Sequence, residues 1–192
     1  VADMDPGTLP GDTSFSPGGY GYYLSKTSVS GHLVWIRYFS QPGGGMFEFK
    51  GVRVNSANEI VVVGNFFGVV DFDLSTTGVD TIRSHFPTYP DYFIAKYDPG
   101  ANHQWAFSIG NPTTNDIELK SMCIKTNDDI LICANPNGLV DVDPGPAVHN
   151  SIGGNANIIC YNTNGNYVWN NNIATTYSYA NECKSIECDA TG

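Results

Sequence analysis

Apolar residues in this chain fall in short runs cut off by Gly, Pro, Asn or Asp, and no spacing of 3.6 residues persists between two such breakers. Strands are therefore expected throughout, and no helix of consequence. Tyr22–Lys26, Leu33–Phe39, Phe47–Val54 and Ile60–Phe67 are rich in β-branched and aromatic residues, with Val69–Phe72 continuing the last or adding a short fifth strand. Gly31-His32, Gln41-Pro42-Gly43-Gly44-Gly45 and Asn55-Ser56-Ala57-Asn58 separate them as turns. Val1 to Gly19, with Asp5-Pro6-Gly7, Leu9-Pro10-Gly11 and Ser16-Pro17-Gly18-Gly19, is expected to be a surface loop. Ile60 to Val63 is apolar without alternation, which suits a strand covered on both faces.

The series then repeats. Val61-Val62-Val63-Gly64-Asn65-Phe66-Phe67-Gly68-Val69-Val70-Asp71-Phe72-Asp73 returns at an offset of 70 residues as Leu131-Ile132-Cys133-Ala134-Asn135-Pro136-Asn137-Gly138-Leu139-Val140-Asp141-Val142-Asp143. Tyr22 and Tyr92, Lys26 and Lys96, Trp35 and Trp105, Glu48 and Glu118, and Lys50 and Lys120 keep the same offset. A third unit follows at 64 residues with Trp169, Glu182 and Lys184, and Val1 to Gly7 looks like the tail of a further copy of Val140–Gly145. The sequence thus holds about 2.8 four-stranded repeats of 64–70 residues.

Four strands per unit at this period are expected to be the blade of a β-propeller, an all-β fold of 4–8 blades. The expected division is 1–19 as the end of a preceding blade and a loop, 20–90 and 91–155 as blades, and 156–192 as an incomplete blade, all within one propeller domain. So few blades cannot close a ring. The chain is accordingly expected to be part of a larger propeller, completed by further blades or by partner chains.

Gly64-Asn65-Phe66-Phe67-Gly68-Val69-Val70-Asp71-Phe72-Asp73, followed by Asp91-Tyr92-Phe93-Ile94-Ala95-Lys96-Tyr97-Asp98 and His103-Gln104-Trp105-Ala106, resembles the SBBP (seven-bladed β-propeller) repeats of large secreted Bacteroidota proteins. The resemblance covers nearly the whole chain. It implies export, commonly by the type IX secretion route with a separate C-terminal sorting domain, and says nothing of ligand. The third unit departs from it, since Ala156-Asn157-Ile158-Ile159-Cys160-Tyr161 lacks the Lys of Phe93-Ile94-Ala95-Lys96-Tyr97, which suits a surface position on an outer strand for that Lys.

Charge narrows the partners. With 9 Lys and Arg against 19 Asp and Glu the net charge is −10, which argues against nucleic acid or an anionic membrane surface as partner. No apolar run reaches the length of a membrane-spanning helix. Five cysteines leave at least one unpaired if the rest are bridged. Cys123 and Cys133 flank the turn Thr126-Asn127-Asp128-Asp129 and are candidates to meet across a hairpin, and Cys183 and Cys188 are the other close pair. The simpler expectation is that most are small strand residues.

The best site candidates are Asp71 with Asp73 and Asp141 with Asp143, and beyond them Asp3 with Asp5. Residues i and i+2 of a strand share a face, so each pair brings two carboxylates together, a setting for calcium. The competing expectation is that each second Asp starts the turn that follows by accepting backbone N–H groups. Trp35, Trp105 and Trp169 are expected to pack between blades rather than stack on sugars, being demanded once per repeat. Glu48, Glu118 and Glu182 stand two residues before Lys50, Lys120 and Lys184 and are expected to form same-face ion pairs rather than catalytic carboxylates. His32, His85, His103 and His149 show no metal-ligand spacing.

These residues point to a non-catalytic extracellular or cell-surface propeller module for adhesion, ligand binding or protein interaction, with a protein or glycan partner. The alternatives are a fragment of a glycan-active hydrolase or lyase working at the central channel, and a structural component of a surface fibre or secretion complex.

Overall fold

In the computed structural model the described residues are 2–3, 13–14, 22–42, 44–111, 117–151, 156–173 and 182–189, and they form strands but no helix. The strands are β1 (Ala2–Asp3), β2 (Thr13–Ser14), β3 (Tyr22–Thr27), β4 (Leu33–Phe39), β5 (Gly45–Val54), β6 (Ile60–Asp71), β7 (Thr81–Arg83) and β8 (Asp91–Tyr97). They continue as β9 (His103–Ile109), β10 (Ile117–Ile124), β11 (Ile130–Pro136), β12 (Val140–Asp141), β13 (Asn150–Ser151), β14 (Ala156–Tyr161) and β15 (Tyr167–Ile173). All pairings are antiparallel. Most of the expected opening loop, including Asp5, lies outside the described residues, apart from the pairing of Ala2 and Asp3 with Ser14 and Thr13.

Two large sheets carry the fold, one in the order β5-β6-β8-β9 and one in the order β10-β11-β14-β15, with β3-β4 as a separate pair. Each large sheet takes its first two strands from the end of one sequence repeat and its last two from the start of the next. Repeat and sheet are thus out of phase by two strands.

The unalternating run at Ile60 has the cause expected of it. Val61 and Val63 with Tyr92 and Ile94 face one core, shared with Leu119, Met122, Ile132 and Tyr161 of the second sheet. Ile60, Val62, Phe93 and Ala95 face the other, shared with Phe39 of β4 and packed by Leu24 and Trp35 of the β3-β4 pair. The first sheet is therefore covered on both faces, and burial of its side chains is the main term holding the layers together.

Five turns share one geometry. In Ser28–His32, Asn55–Glu59, Asp98–Asn102, Lys125–Asp129 and Asn162–Asn166 the first N–H donates to the fifth carbonyl, and the fourth N–H donates back to the first carbonyl. The fourth residue is left-handed each time: Gly31, Asn58, Ala101, Asp128 and Gly165 all have positive φ. Antiparallel order puts these turns at one end of the stack, and Ser56 ties two of them by donating its N–H and Oγ–H to Asp128. The connections from β4 to β5, β6 to β8, β9 to β10 and β11 to β14 leave from the other end, and all but the first are longer than the five-residue turns.

Three expectations are corrected. The register sets Cys123 opposite Leu131 and Cys133 opposite Ser121, so those cysteines are diagonal rather than facing. They bond instead to the segment 182–189, as Cys123–Cys188 and Cys133–Cys183 with Cα separations of 5.8 and 6.0 Å, leaving Cys160 as a buried free thiol. Two disulfides are the mark of an oxidising compartment. Lys96 is not a surface residue. It is buried in β8, where Nζ pairs with Glu59 at 2.6 Å and donates to the carbonyl and hydroxyl oxygens of Thr163 in the neighbouring sheet. That pairing and the two hydrogen bonds offset part of the cost of burying its charge. Trp169, expected in a core, is 39% exposed. Trp105 lies under the turn at Gly165, and no described segment takes that place over Trp169.

Candidate functional site

At Gly68 the sixth strand leaves its sheet. Its φ is +96°, and a Cβ there would come within 2.3 Å of the Gly44 carbonyl oxygen, so only glycine fits the crossing. Beyond it Asp71 N–H donates to Ser40 at the end of β4, and Val69–Asp71 pairs with β7. The segment then folds back toward the tight-turn end. Phe72 N–H donates to Asp80 at 2.8 Å, and Tyr97 Oη, at the far end of β8, donates to Phe72 at 3.0 Å.

The second unit builds the same wedge. Val142 N–H donates to His149, and Tyr161 Oη donates to Val142 at 2.6 Å. Phe72 and Leu74 join the core against β4, and Val142 joins the core between the two large sheets. Each wedge thus fills the space between the outer strands of adjacent layers. Tyr97→Phe removes a buried donor and leaves the Phe72 carbonyl unpaired; we expect a loss of about 1–2 kcal/mol, read from urea unfolding midpoints.

The acidic pairs are the clasps of these wedges. Asp71 Oδ1 accepts the N–H groups of Asp73 and Asp80, and Asp141 Oδ1 accepts those of Asp143 and His149. Asp73 Oδ1 accepts from Ser75 and Asp143 Oδ1 from Gly145, the geometry of a turn-starting Asp. The Ser75 N–H holds the Asp73 carboxyl below its usual range. The oxygens left over at either pair are too few for the six to eight that calcium takes. Among the described residues no group of three or more His, Cys, Asp or Glu is placed to hold a metal ion.

Histidines complete the clasps. His103 Nε2 lies 3.2 Å from Asp80 without hydrogen-bond geometry, while His149, which stands where Asp80 stands in the first unit, hydrogen-bonds Asp143 at 3.0 Å and stacks on Tyr167. His85 Nδ1 lies 2.7 Å from Asp91, a buried carboxylate that also accepts the His85 N–H. Together with Ser108, Gly110, Asp141, Asp143 and Pro144, His85 lines a cleft of about 260 Å³ between the layers.

The Asp91 hydrogen bond raises the His85 pKa above its usual 6.5, outweighing partial burial. A raised folded-state pKa stabilises the fold fully below about pH 6.5, and that contribution is lost as pH rises through the folded value. The melting temperature of the parent chain minus that of His85→Gln is thus expected to be larger at pH 5.5 than at pH 8.5. A difference that is flat with pH would remove the pair from the stability of the wedge.

Where the layers meet, an asparagine clamp recurs. Asn65, 1% exposed, donates Nδ2 to the Leu119 carbonyl at 3.1 Å and accepts the Leu119 N–H at 2.9 Å. Asn135 makes the same two bonds with Cys183, at 3.1 and 2.8 Å. The repeated Glu–Lys pairs form as expected: Lys50 with Glu48 at 2.7 Å, Lys120 with Glu118 at 2.6 Å, and Lys184 with Glu182. Lys50 also reaches Glu118 at 3.8 Å, so the pairs run on from one layer to the next as a ladder along the first strands.

The structure does not join the two Asp pairs into one site; each serves its own wedge. Sequence reasoning passed over Asn65, Asn135 and the His85–Asp91 pair and misplaced Lys96. The asparagines left a signal in their common register in the repeat. A scan against protein-family models finds no match for the chain, and no curated protein matches it.

Proposed function

We propose that the chain is part of a β-propeller, of the kind the SBBP repeats suggest, serving as a non-catalytic binding or presentation module outside the cell or on its surface. The observation that carries this is the recurrence of one layer-to-layer junction. Residues 182–189 meet the second sheet through the same asparagine clamp that joins β10 to the first sheet. A junction that recurs with the ladder of Glu–Lys pairs along the first strands is what radial stacking about a common axis requires.

The uniform turns at one end and the longer connections at the other favour binding at the latter, where length and sequence vary without cost to the layers. The two disulfides suit an extracellular setting. Electron microscopy of the intact protein is expected to show a closed ring, and glycan and surface-protein arrays are expected to show saturable binding without turnover. An open, extended particle would sink the propeller. Release of reducing ends from a bound polysaccharide would sink the non-catalytic reading.

A further inference from the structure

Strands β8 and β14 lie inside their sheets, β8 between β6 and β9 and β14 between β11 and β15. Strand β3 holds the equivalent place but pairs only with β4 among the described residues. Its burial differs accordingly. Every residue of β8 is buried, whereas none of β3 is fully buried and most of its residues are exposed.

The face of β5 beside that edge is also open. Val52 and Val54 are 48% and 57% exposed, although Met122, the equivalent of Val52 one repeat on, is 1% exposed. Two adjoining hollows of about 380 and 260 Å³ share Leu24 and Val52 and are walled by Trp35, Phe49, Val54 and Ile60. A strand edge with no partner among the described residues, alongside an apolar trough, is a setting for strand addition, in which main-chain bonds give affinity and alternate side chains give specificity.

The occupant can be read from the junction that is filled. Over β10 the equivalent space is taken by the hairpin β5–β6: Val61 and Val63 enter the core with Met122, Gly51 lies against the Met122 side chain, and Asn65 clamps Leu119. Leu119 sits at a register shift in β10, and Phe49 sits at the same shift in β5. We infer that the trough between β3 and β5 is a strand-addition site for the inner hairpin of another unit of this repeat. Its second strand runs antiparallel to β3, and its asparagine closes on the Phe49 backbone.

This inference stands on the layer-to-layer interface and does not need a closed ring. The test is hydrogen exchange on the full chain with a synthetic hairpin of residues 45–67. Amides of residues 22–27 are expected to slow by about tenfold or more, saturably, and to lose most of that protection when the hairpin carries Asn65→Leu. Because such a hairpin is apolar, the same segment joined ahead of Val1 through a flexible linker provides a soluble second format. No protection of β3 in either format overturns the inference, as does equal protection by a scrambled hairpin or protection at β15 instead. A ring in the microscope without this protection defeats the inference alone, and protection without a ring defeats the propeller alone.

Discussion

Replacing Cys133 and Cys183 together by alanine is expected to lower stability by about 3 kcal/mol, the chain-entropy value for the ring of about 15 residues that this bridge closes inside the Cys123–Cys188 loop. The two cysteines are 50 residues apart in sequence, but Cys123–Cys188 already closes the loop around them, so the inner bridge removes only the open conformations that the outer one leaves. The effect should also be local. Asn135 still offers both bonds to residue 183 through that residue's backbone, and Cys123–Cys188 still ties the far end of the segment. Urea midpoints give the loss, and hydrogen exchange at residues 182–189 shows where it falls. A loss under about 1 kcal/mol would mean that the clamp alone holds the segment and that the bridge adds little beyond it.

Phe72→Ala is expected to cost about 3–5 kcal/mol, a large part of the 5–15 kcal/mol that usually separates folded from unfolded chains. Phe72 has no exposed surface, and its ring centroid lies 5.0 Å from that of Phe93 and 6.0–6.3 Å from those of Phe66, Phe39 and Phe47. Those neighbours come from four strands in two layers, so the cavity cannot close without moving a sheet. Phe72→Leu keeps most of the volume and should lose under about half as much. If the alanine variant unfolds at nearly the same urea concentration as the parent, the wedge is not part of the packed core.

Local pattern made much of this architecture legible. The run at Ile60–Val63 announced a strand covered on both faces, and it is one. The Glu–Lys spacing announced pairs, and the pairs form because residues two apart on a strand share a face. Failures came where the partner lies in another layer. Lys96 looked like a surface residue because the third unit has Cys160 in its place, yet its partners Glu59 and Thr163 are 37 and 67 residues away and belong to different turns. The disulfides followed the same rule. Within the hairpin Cys123 and Cys133 are near neighbours, but the register aims them past each other toward a segment of the next unit. The acidic pairs were expected as two carboxylates on one strand face, but only the first Asp of each pair lies in a strand, and only the folded wedge shows which N–H groups they accept.

The wedge also shows a difference in length that the fold absorbs. The bond from Tyr97 to Phe72 spans 25 residues, and the matching bond from Tyr161 to Val142 spans 19. The chain between these anchors has thus changed length by about a quarter, while both tyrosines still reach the same carbonyl. Selection can therefore lengthen, shorten or rewrite this stretch in one unit without renegotiating the packing of its neighbours. The tight-turn end offers no such freedom, since each of its five turns spends a left-handed residue on a fixed length. New recognition properties would be acquired one wedge at a time, at the end of the stack where trial and error is cheap.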